Sequence, residues 1–92
     1  MVTALCFINA EPRHVNAVCE QVAALRNVRH VYSLTGEVDI VALIEVPELD
    51  AVPTVVTDHI TSIEGVLSTQ THIAFRTYSR VELDAGFAIG AE

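Results

Sequence analysis

The chain has 92 residues, with five arginines, no lysine and twelve carboxylates, and its formal net charge is −7. Nucleic-acid binding and anionic membrane surfaces normally require clustered Lys and Arg, so this balance argues against both kinds of partner. The length is that of one domain. Hydrophobic residues make up 51% of the chain, and this is more apolar material than a single small core requires. We therefore expect a second copy to cover part of the apolar surface.

Targeting and cysteine content indicate a cytoplasmic protein. The first residues, MVTALCFINAEPR, lack the basic region and the long apolar region of a signal peptide. No apolar run approaches the ~20 residues of a membrane-spanning helix. We therefore expect Cys6 and Cys19 to be small buried hydrophobes in a reducing cytosol, and a bridge between them is the alternative.

Hydrophobic patterning predicts six elements in the order β-α-β-β-α-β. Strands are predicted at residues 3–10, 28–35, 39–46 and 66–78. Pro12 fits the first turn of a helix, Gly36 breaks the pattern after the second strand, Pro47 ends the third strand, and Gly65 ends the connection to the fourth. Helical spacing places Val15, Val18, Cys19, Val22 and Leu25 on one face of a first helix, and Leu49, Val52, Val56, Ile60 and Ile63 on one face of a second. Pro53 is tolerated because it lies near the start of the second helix.

This order predicts an α+β ferredoxin-like fold, in which a four-stranded antiparallel sheet carries two helices on one face. In the third strand Ile40, Ala42, Ile44 and Val46 share one wholly apolar face, which we expect under the helices. The opposite face is uncovered. Pairing of two such faces, as in a dimeric α/β barrel, would bury the apolar excess.

Residues 80–92 are expected to be a C-terminal extension to a domain at residues 1–79. Ser79 and Glu82 have the spacing of a helix capping box, and Leu83, Phe87 and Gly90 suggest a short helix. A frayed tail is the alternative, because so short a helix is marginal alone.

The sequence contains no GxSxG, P-loop or GxGxxG motif, and it implies no cofactor. None of His14, His30, His59 and His72 pairs with a Cys or another His at metal-binding spacing. His30 and His72 fall in strands and could meet across the sheet, although a structural role is favoured over catalysis or metal binding.

The turn Gly36-Glu37-Val38-Asp39 supports two interpretations. Free N–H groups beside Gly36 can hold a carboxylate, and Asp39 can accept hydrogen bonds from an ammonium group, which together match an amino acid. Alternatively it is a solvated hairpin, since Gly and Asp are common turn residues. Thr69 and Thr71 are likewise ordinary in a strand.

Three short motifs resemble the ligand-binding (RAM) domain of the Lrp/AsnC family. They are the G-x-x-D of Gly36–Asp39, the helix end at Ile63-Glu64-Gly65-Val66 and the T-x-T of Thr69-Gln70-Thr71, and the resemblance runs from about residue 3 to 78. Full-length members carry an N-terminal helix-turn-helix. This sequence begins directly at the first strand, so we expect a stand-alone domain and do not carry DNA binding over.

The resemblance implies dimers formed by facing sheets, further assembly into octamer-like rings, and an effector site between dimers that usually takes an amino acid. By position the implied ligand-binding residues are Gly36, Glu37, Val38, Asp39, Thr69, Thr71 and His72. His72 stands where the family often has a larger apolar or aromatic residue.

The leading hypothesis is therefore a non-enzymatic sensor of an amino acid or related metabolite, whose output could be hetero-assembly with a full-length regulator. The first rival is a small dimeric ferredoxin-like enzyme of the monooxygenase or isomerase type, with His30, Tyr32, Glu45 and His72 as candidates. A closed pocket lined by two of them would favour it. The second rival is a purely structural oligomerisation module.

Overall fold

The computed structural model describes residues 1–80, which form one antiparallel sheet and two helical segments. The strands are β1 (Val2–Ala10), β2 (Val28–Ser33), β3 (Ile40–Val46) and β4 (Val66–Ile73). Their order across the sheet is β2-β3-β1-β4, and every neighbouring pair is antiparallel. The ferredoxin-like prediction is confirmed.

The two helical segments differ in regularity: the first contains a regular α-helix and the second does not. The helix α1 (Val15–Ala23) follows a 3₁₀ turn at Pro12–His14. The second segment, called the second helix, combines a 3₁₀ turn at Leu49–Ala51 with a π-helix at Thr54–Ile60. The N–H of Thr61 bonds the carbonyl of Val56, at 3.0 Å and five residues back. A regular α-helix was predicted here, but Pro53 has no N–H to donate and the wider turns follow it.

The core lies between the helices and one face of the sheet. Ile40, Ala42, Ile44 and Val46 of β3 are all fully buried, which confirms the alternation predicted from the sequence. The remaining buried apolar side chains come from β1 and the helices: Ala4, Cys6, Ile8, Ala10, Val18, Val22, Val52, Val55, Val56 and Ile60. Burying a side chain of the size of Ile44 stabilises the fold by roughly 1.5–3 kcal/mol.

Strand β4 is shorter than predicted. It ends at Ile73 rather than at residue 78. Ile73 pairs with Ala4, and the N–H of Ala74 then bonds the carbonyl of Thr3 at 2.9 Å. Because β1 begins at Val2, there is little partner strand left to extend the ladder.

The other face of the sheet, called the open face, has no helix over it in the described part of the chain. Leu5, Phe7, Val41 and Leu43 form its centre and are half-buried. Tyr32 lies toward its edge with 53% of its surface exposed. This face is therefore apolar at the centre.

The predicted C-terminal helix after residue 80 lies outside the described residues. Within residues 1–80, no helix has both the length and the hydropathy needed to cross a membrane.

Candidate functional site

The turn between β2 and β3, called the Gly36 turn (residues 34–39), is closed by its own backbone. The N–H of Leu34 donates to the carbonyl of Asp39 at 2.8 Å. Gly36 has a φ of +104°, and no atom lies within 4 Å of the position that a Cβ would take. Glu37 is exposed and Val38 is half-buried. The turn therefore leaves open space over its backbone, which another molecule can approach closely.

Asp39 is anchored to the end of β1. Its Oδ2 accepts a hydrogen bond from the N–H of Ala10 at 3.0 Å, and its own N–H donates to Oδ1 of Asn9 at 3.3 Å. Both bonds are partly buried, so they fix the Gly36 turn against the sheet. A carboxylate has about four lone-pair sites. Asp39 can hold Ala10 and still accept bonds from an ammonium group.

Thr69 and Thr71 lie on the helix side of β4. Their Cα partners across the ladder are Ile8 and Cys6, both fully buried on that face. Burial raises the pKa of the Cys6 thiol, and a side-chain hydrogen bond with Thr71 partly offsets that rise. The thiol is therefore neutral and packs as a small hydrophobe.

His72 lies on the opposite side of β4, on the open face. It pairs with Leu5 across the ladder, and its ring meets that of Phe7 edge to face at 5.5 Å between centroids. The seven residues implied as a ligand site thus occupy three places in one chain: the Gly36 turn, the helix side of β4, and the open face.

A groove beside β4 was not predicted. It has a volume of about 720 Å³ and is called the β4 groove. Its lining comes from the start of the second helix and from the edge strand: Glu48, Leu49, Asp50, Val52, Pro53, Thr71 and Ile73. Leu49 was predicted in the core, yet 57% of its surface is exposed. The sequence feature that could have indicated this exposure is the position of Leu49 at the first turn of the helix.

Gly65, the other glycine of the motifs, has a packing role. Its φ is +99°, and a Cβ there would lie 2.5 Å from Cβ of His14. The carbonyl of Gly65 also accepts the N–H of Glu11 at 2.9 Å. Nδ1 of His14 is shielded from solvent. It lies 3.3 Å from Oε2 of Glu11, but the geometry between the two atoms is not that of a hydrogen bond. The Gly65 turn (residues 63–66) is therefore filled by the segment that follows β1.

The residues proposed for an enzyme do not share a site. His30 is on β2 and His72 on β4, at opposite edges of the sheet, so the contact between them that the sequence left open does not form within one chain. His30 lies beside Tyr32, at 6.1 Å between ring centroids, and Glu45 pairs with Arg29 at 2.9 Å. In residues 1–80 no three His, Cys, Asp or Glu side chains group as a metal site would require.

Both cysteines are free thiols, as expected. Cys6 is buried in the core and Cys19 is half-buried on α1. Burial also raises the pKa of Cys19, with the adjacent Glu20 carboxylate raising it further.

Comparison with known proteins supports the resemblance seen in the motifs. The family model of the Lrp/AsnC ligand-binding domain matches residues 3–82. A protein of Thermus thermophilus, TTHA0845, is 42% identical, with a TM-score of 0.82 over 87% of this chain and 100% of that one. A comparison with curated proteins gives no match.

Two longer proteins share the fold at lower identity. AsnC of E. coli is 22% identical with a TM-score of 0.77, and the match covers 85% of this chain but 53% of AsnC. The transcriptional regulator NMB0573 of Neisseria meningitidis, solved as a complex with L-Met, is 20% identical with a TM-score of 0.72, over 86% and 53%. The chain thus spans about half of each regulator. With the family model matched along residues 3–82, it belongs to the Lrp/AsnC ligand-binding domain family.

Proposed function

We propose that this domain senses an amino acid with an apolar side chain, bound in the β4 groove. The observation that carries the proposal is the groove itself, which brings Thr71 of the family motif against an apolar wall formed by Leu49, Val52 and Ile73. Its volume of about 720 Å³ lies within the range of small-molecule sites. The L-Met complex of the Neisseria meningitidis regulator supports an amino acid as the ligand class.

The lining also supports a choice among amino acids. Leu49, Val52 and Pro53 offer apolar surface to an aliphatic or thioether side chain. Glu48 and Asp50 at the same groove can accept hydrogen bonds from the ligand's ammonium group. The same two carboxylates repel an acidic ligand, so aspartate and glutamate are the amino acids we expect to bind worst.

A second copy is needed to bring the Gly36 turn to this groove. In one chain the turn belongs to β2 and β3, whereas the groove borders β4 at the far edge. The register also separates them along the strands: Asp39 bonds the end of β1 at Ala10, while Ile73 pairs with Ala4 near its start. Within the proposal, Gly36 and Glu37 offer backbone donors to the ligand carboxylate, and Val38 and Asp39 complete the rim from the neighbouring copy.

The open face provides the surface for dimer formation. Leu5, Phe7, Val41 and Leu43 are half-buried there without a covering helix in the described part of the chain, which favours a second sheet of the same kind. His72, packed on Phe7, would lie in that contact rather than beside the ligand. Ligand bound between such dimers would favour the assembled ring by its difference in affinity for the two states.

A mixed assembly with a full-length regulator is the output we propose. The match to about half the length of E. coli AsnC supports this, because the chain corresponds to one part of a longer protein of the same fold. Two proteins that share this ligand-binding domain could exchange subunits and form a mixed oligomer.

Thermal unfolding in the presence of each of the twenty amino acids tests the proposal. A single site at a ligand concentration 100 times its Kd stabilises the folded state by about 2.7 kcal/mol. For a domain of this size that is a shift of about 10–20 °C in Tm. We expect shifts with apolar amino acids such as Met and Leu, and none with Asp or Glu.

Two variants locate the response. Leu49→Asp replaces part of the apolar wall with a carboxylate and should abolish the shift, because the ligand's apolar side chain then loses its contact surface. Thr77→Val, in the exposed segment after β4, is the control and should respond as the wild type does. An unchanged shift in Leu49→Asp, or no shift with any amino acid, would contradict the proposal.

A further inference from the structure

A second cavity shares no lining residue with the β4 groove or the Gly36 turn, although it borders the same second helix as the groove. It has a volume of about 420 Å³ and sits between the segment that leaves α1 and the second helix. Its lining residues are Ala24, Leu25, Arg26, Asn27, Ala51, Thr54, Val55 and His59. It is called the Arg26 cavity.

One wall of the Arg26 cavity is fixed by backbone hydrogen bonds. The N–H of Leu25 bonds the carbonyl of Val22 at 3.0 Å, and the N–H of Val28 bonds that of Leu25 at 3.2 Å. The carbonyl of Asn27 accepts the N–H of Glu45 at 2.9 Å, which ties the segment to β3. The cavity is therefore preformed on this side, which lowers the entropy lost when a ligand binds.

The polar groups of this lining are donors without partners. The side chains of Arg26, Asn27, Thr54 and His59 make no hydrogen bond or ion pair to residues 1–80. Within the described part of the chain no Asp or Glu lines the cavity, although the protein carries a net charge of −7. One guanidinium with no carboxylate beside it in the lining favours an anionic ligand.

The rest of the lining is aliphatic. Leu25, Ala51 and Val55 line the cavity, and Val55 is only 4% exposed. A guanidinium that meets a carboxylate in two parallel hydrogen bonds, beside such a surface, suits an acid with a short hydrocarbon tail. We propose that the Arg26 cavity binds a small aliphatic carboxylate, independently of the amino acid in the β4 groove.

Saturation-transfer NMR with sodium butyrate, at constant ionic strength, tests this site on the full chain. We expect saturable transfer to the butyrate methyl and methylene protons. Butan-1-ol and butylammonium have the same tail without the negative charge, and should give no saturable transfer. Hydrogen bonds to charged groups contribute about 1.5–3 kcal/mol, so Arg26→Gln should weaken butyrate binding about tenfold or more.

Arg13→Gln is the matched control, because Arg13 is exposed on the turn before α1 and the substitution changes the net charge equally. It should leave butyrate binding unchanged. Equal weakening in both variants would overturn the proposal, since the effect would then follow net charge alone. Displacement of butyrate by inorganic phosphate at equal concentration would overturn the assignment to an acid with an apolar tail. Thr71→Val, in the β4 groove, should leave butyrate binding unaffected.

Discussion

The Gly36 turn and the Gly65 turn have nearly the same backbone at their glycines and opposite surroundings. The φ angles are +104° and +99°, so both positions favour glycine by conformation. At Gly65 the space of a side chain is taken by His14, while at Gly36 it is empty. One glycine of the family motifs therefore serves packing, and the other leaves open space over its backbone.

Gly65→Ala should have the largest effect on stability. The methyl group combines a positive φ, which costs about 1–3 kcal/mol, with overlap of His14, a kind of overpacking that costs about 1–3 kcal/mol. We expect the free energy of unfolding to fall by about 2–6 kcal/mol, measured by urea denaturation. Gly65→Ala combined with His14→Gly, which removes the Cβ that the new methyl group would overlap, should be less destabilised than the sum of the two single variants. Strict additivity would show that His14 does not fill this turn.

Asp39→Ala should have the next largest effect. Removal of the carboxylate leaves the part-buried N–H of Ala10 without its acceptor, which costs about 1–3 kcal/mol. Asp39→Asn keeps an oxygen for Ala10 and should unfold closer to the wild type. If the two variants are equally destabilised in urea, the bond to Ala10 does not anchor the turn.

Gly36→Ala sharpens the comparison with Gly65→Ala, because the backbone is alike and the clash is absent. Only the strain of a positive φ remains, and we expect a loss toward the lower end of about 1–3 kcal/mol, because nothing lies within 4 Å of the added methyl group. Calorimetric titration with the amino acid that stabilises the wild type most should show weaker binding to Gly36→Ala. The affinity should fall by a larger fraction than the free energy of unfolding does. A destabilisation as large as that of Gly65→Ala would contradict the open surroundings of this turn.

Glu37→Gln should have the smallest effect on stability. Glu37 is exposed and makes no hydrogen bond or ion pair to residues 1–80, so the free energy of unfolding in urea should stay within about 0.5 kcal/mol of the wild type. A clearly lower value would mean that the Gly36 turn contains a stabilising contact of this carboxylate.

The sequence predicted most of the fold because alternation and helical spacing are local properties. The buried row from Ile40 to Val46 followed directly from side-chain parity. The end of β4 did not, because it depends on where β1 begins. The π-helix at Thr54–Ile60 has nearly the same apolar spacing as an α-helix, so periodicity alone could not distinguish them.

The candidate site was predicted less completely. Parity along β4 already separates His72 from Thr69 and Thr71, a consequence of alternation that the family motif obscured. The β4 groove required tertiary structure, since Leu49 and Ile73 are far apart in sequence. Asp39 was predicted as a ligand-binding group. Its hydrogen bond from the N–H of Ala10 gives it a structural role as well.

Mixing of two variants tests whether the Gly36 turn of one copy and the β4 groove of another form one amino-acid site. Asp39→Asn removes the charge of the turn, and Thr71→Val removes the hydroxyl of the groove. Each variant alone should bind the stabilising amino acid weakly or not at all in calorimetry.

After the two variants are unfolded and refolded together in equal amounts, random assembly should restore about a quarter of the wild-type sites. Each restored site takes its turn from a Thr71→Val copy and its groove from an Asp39→Asn copy. Recovery of about a quarter of the wild-type binding capacity is the predicted result. Absence of recovery, in mixtures shown to exchange subunits, would contradict a site shared between copies.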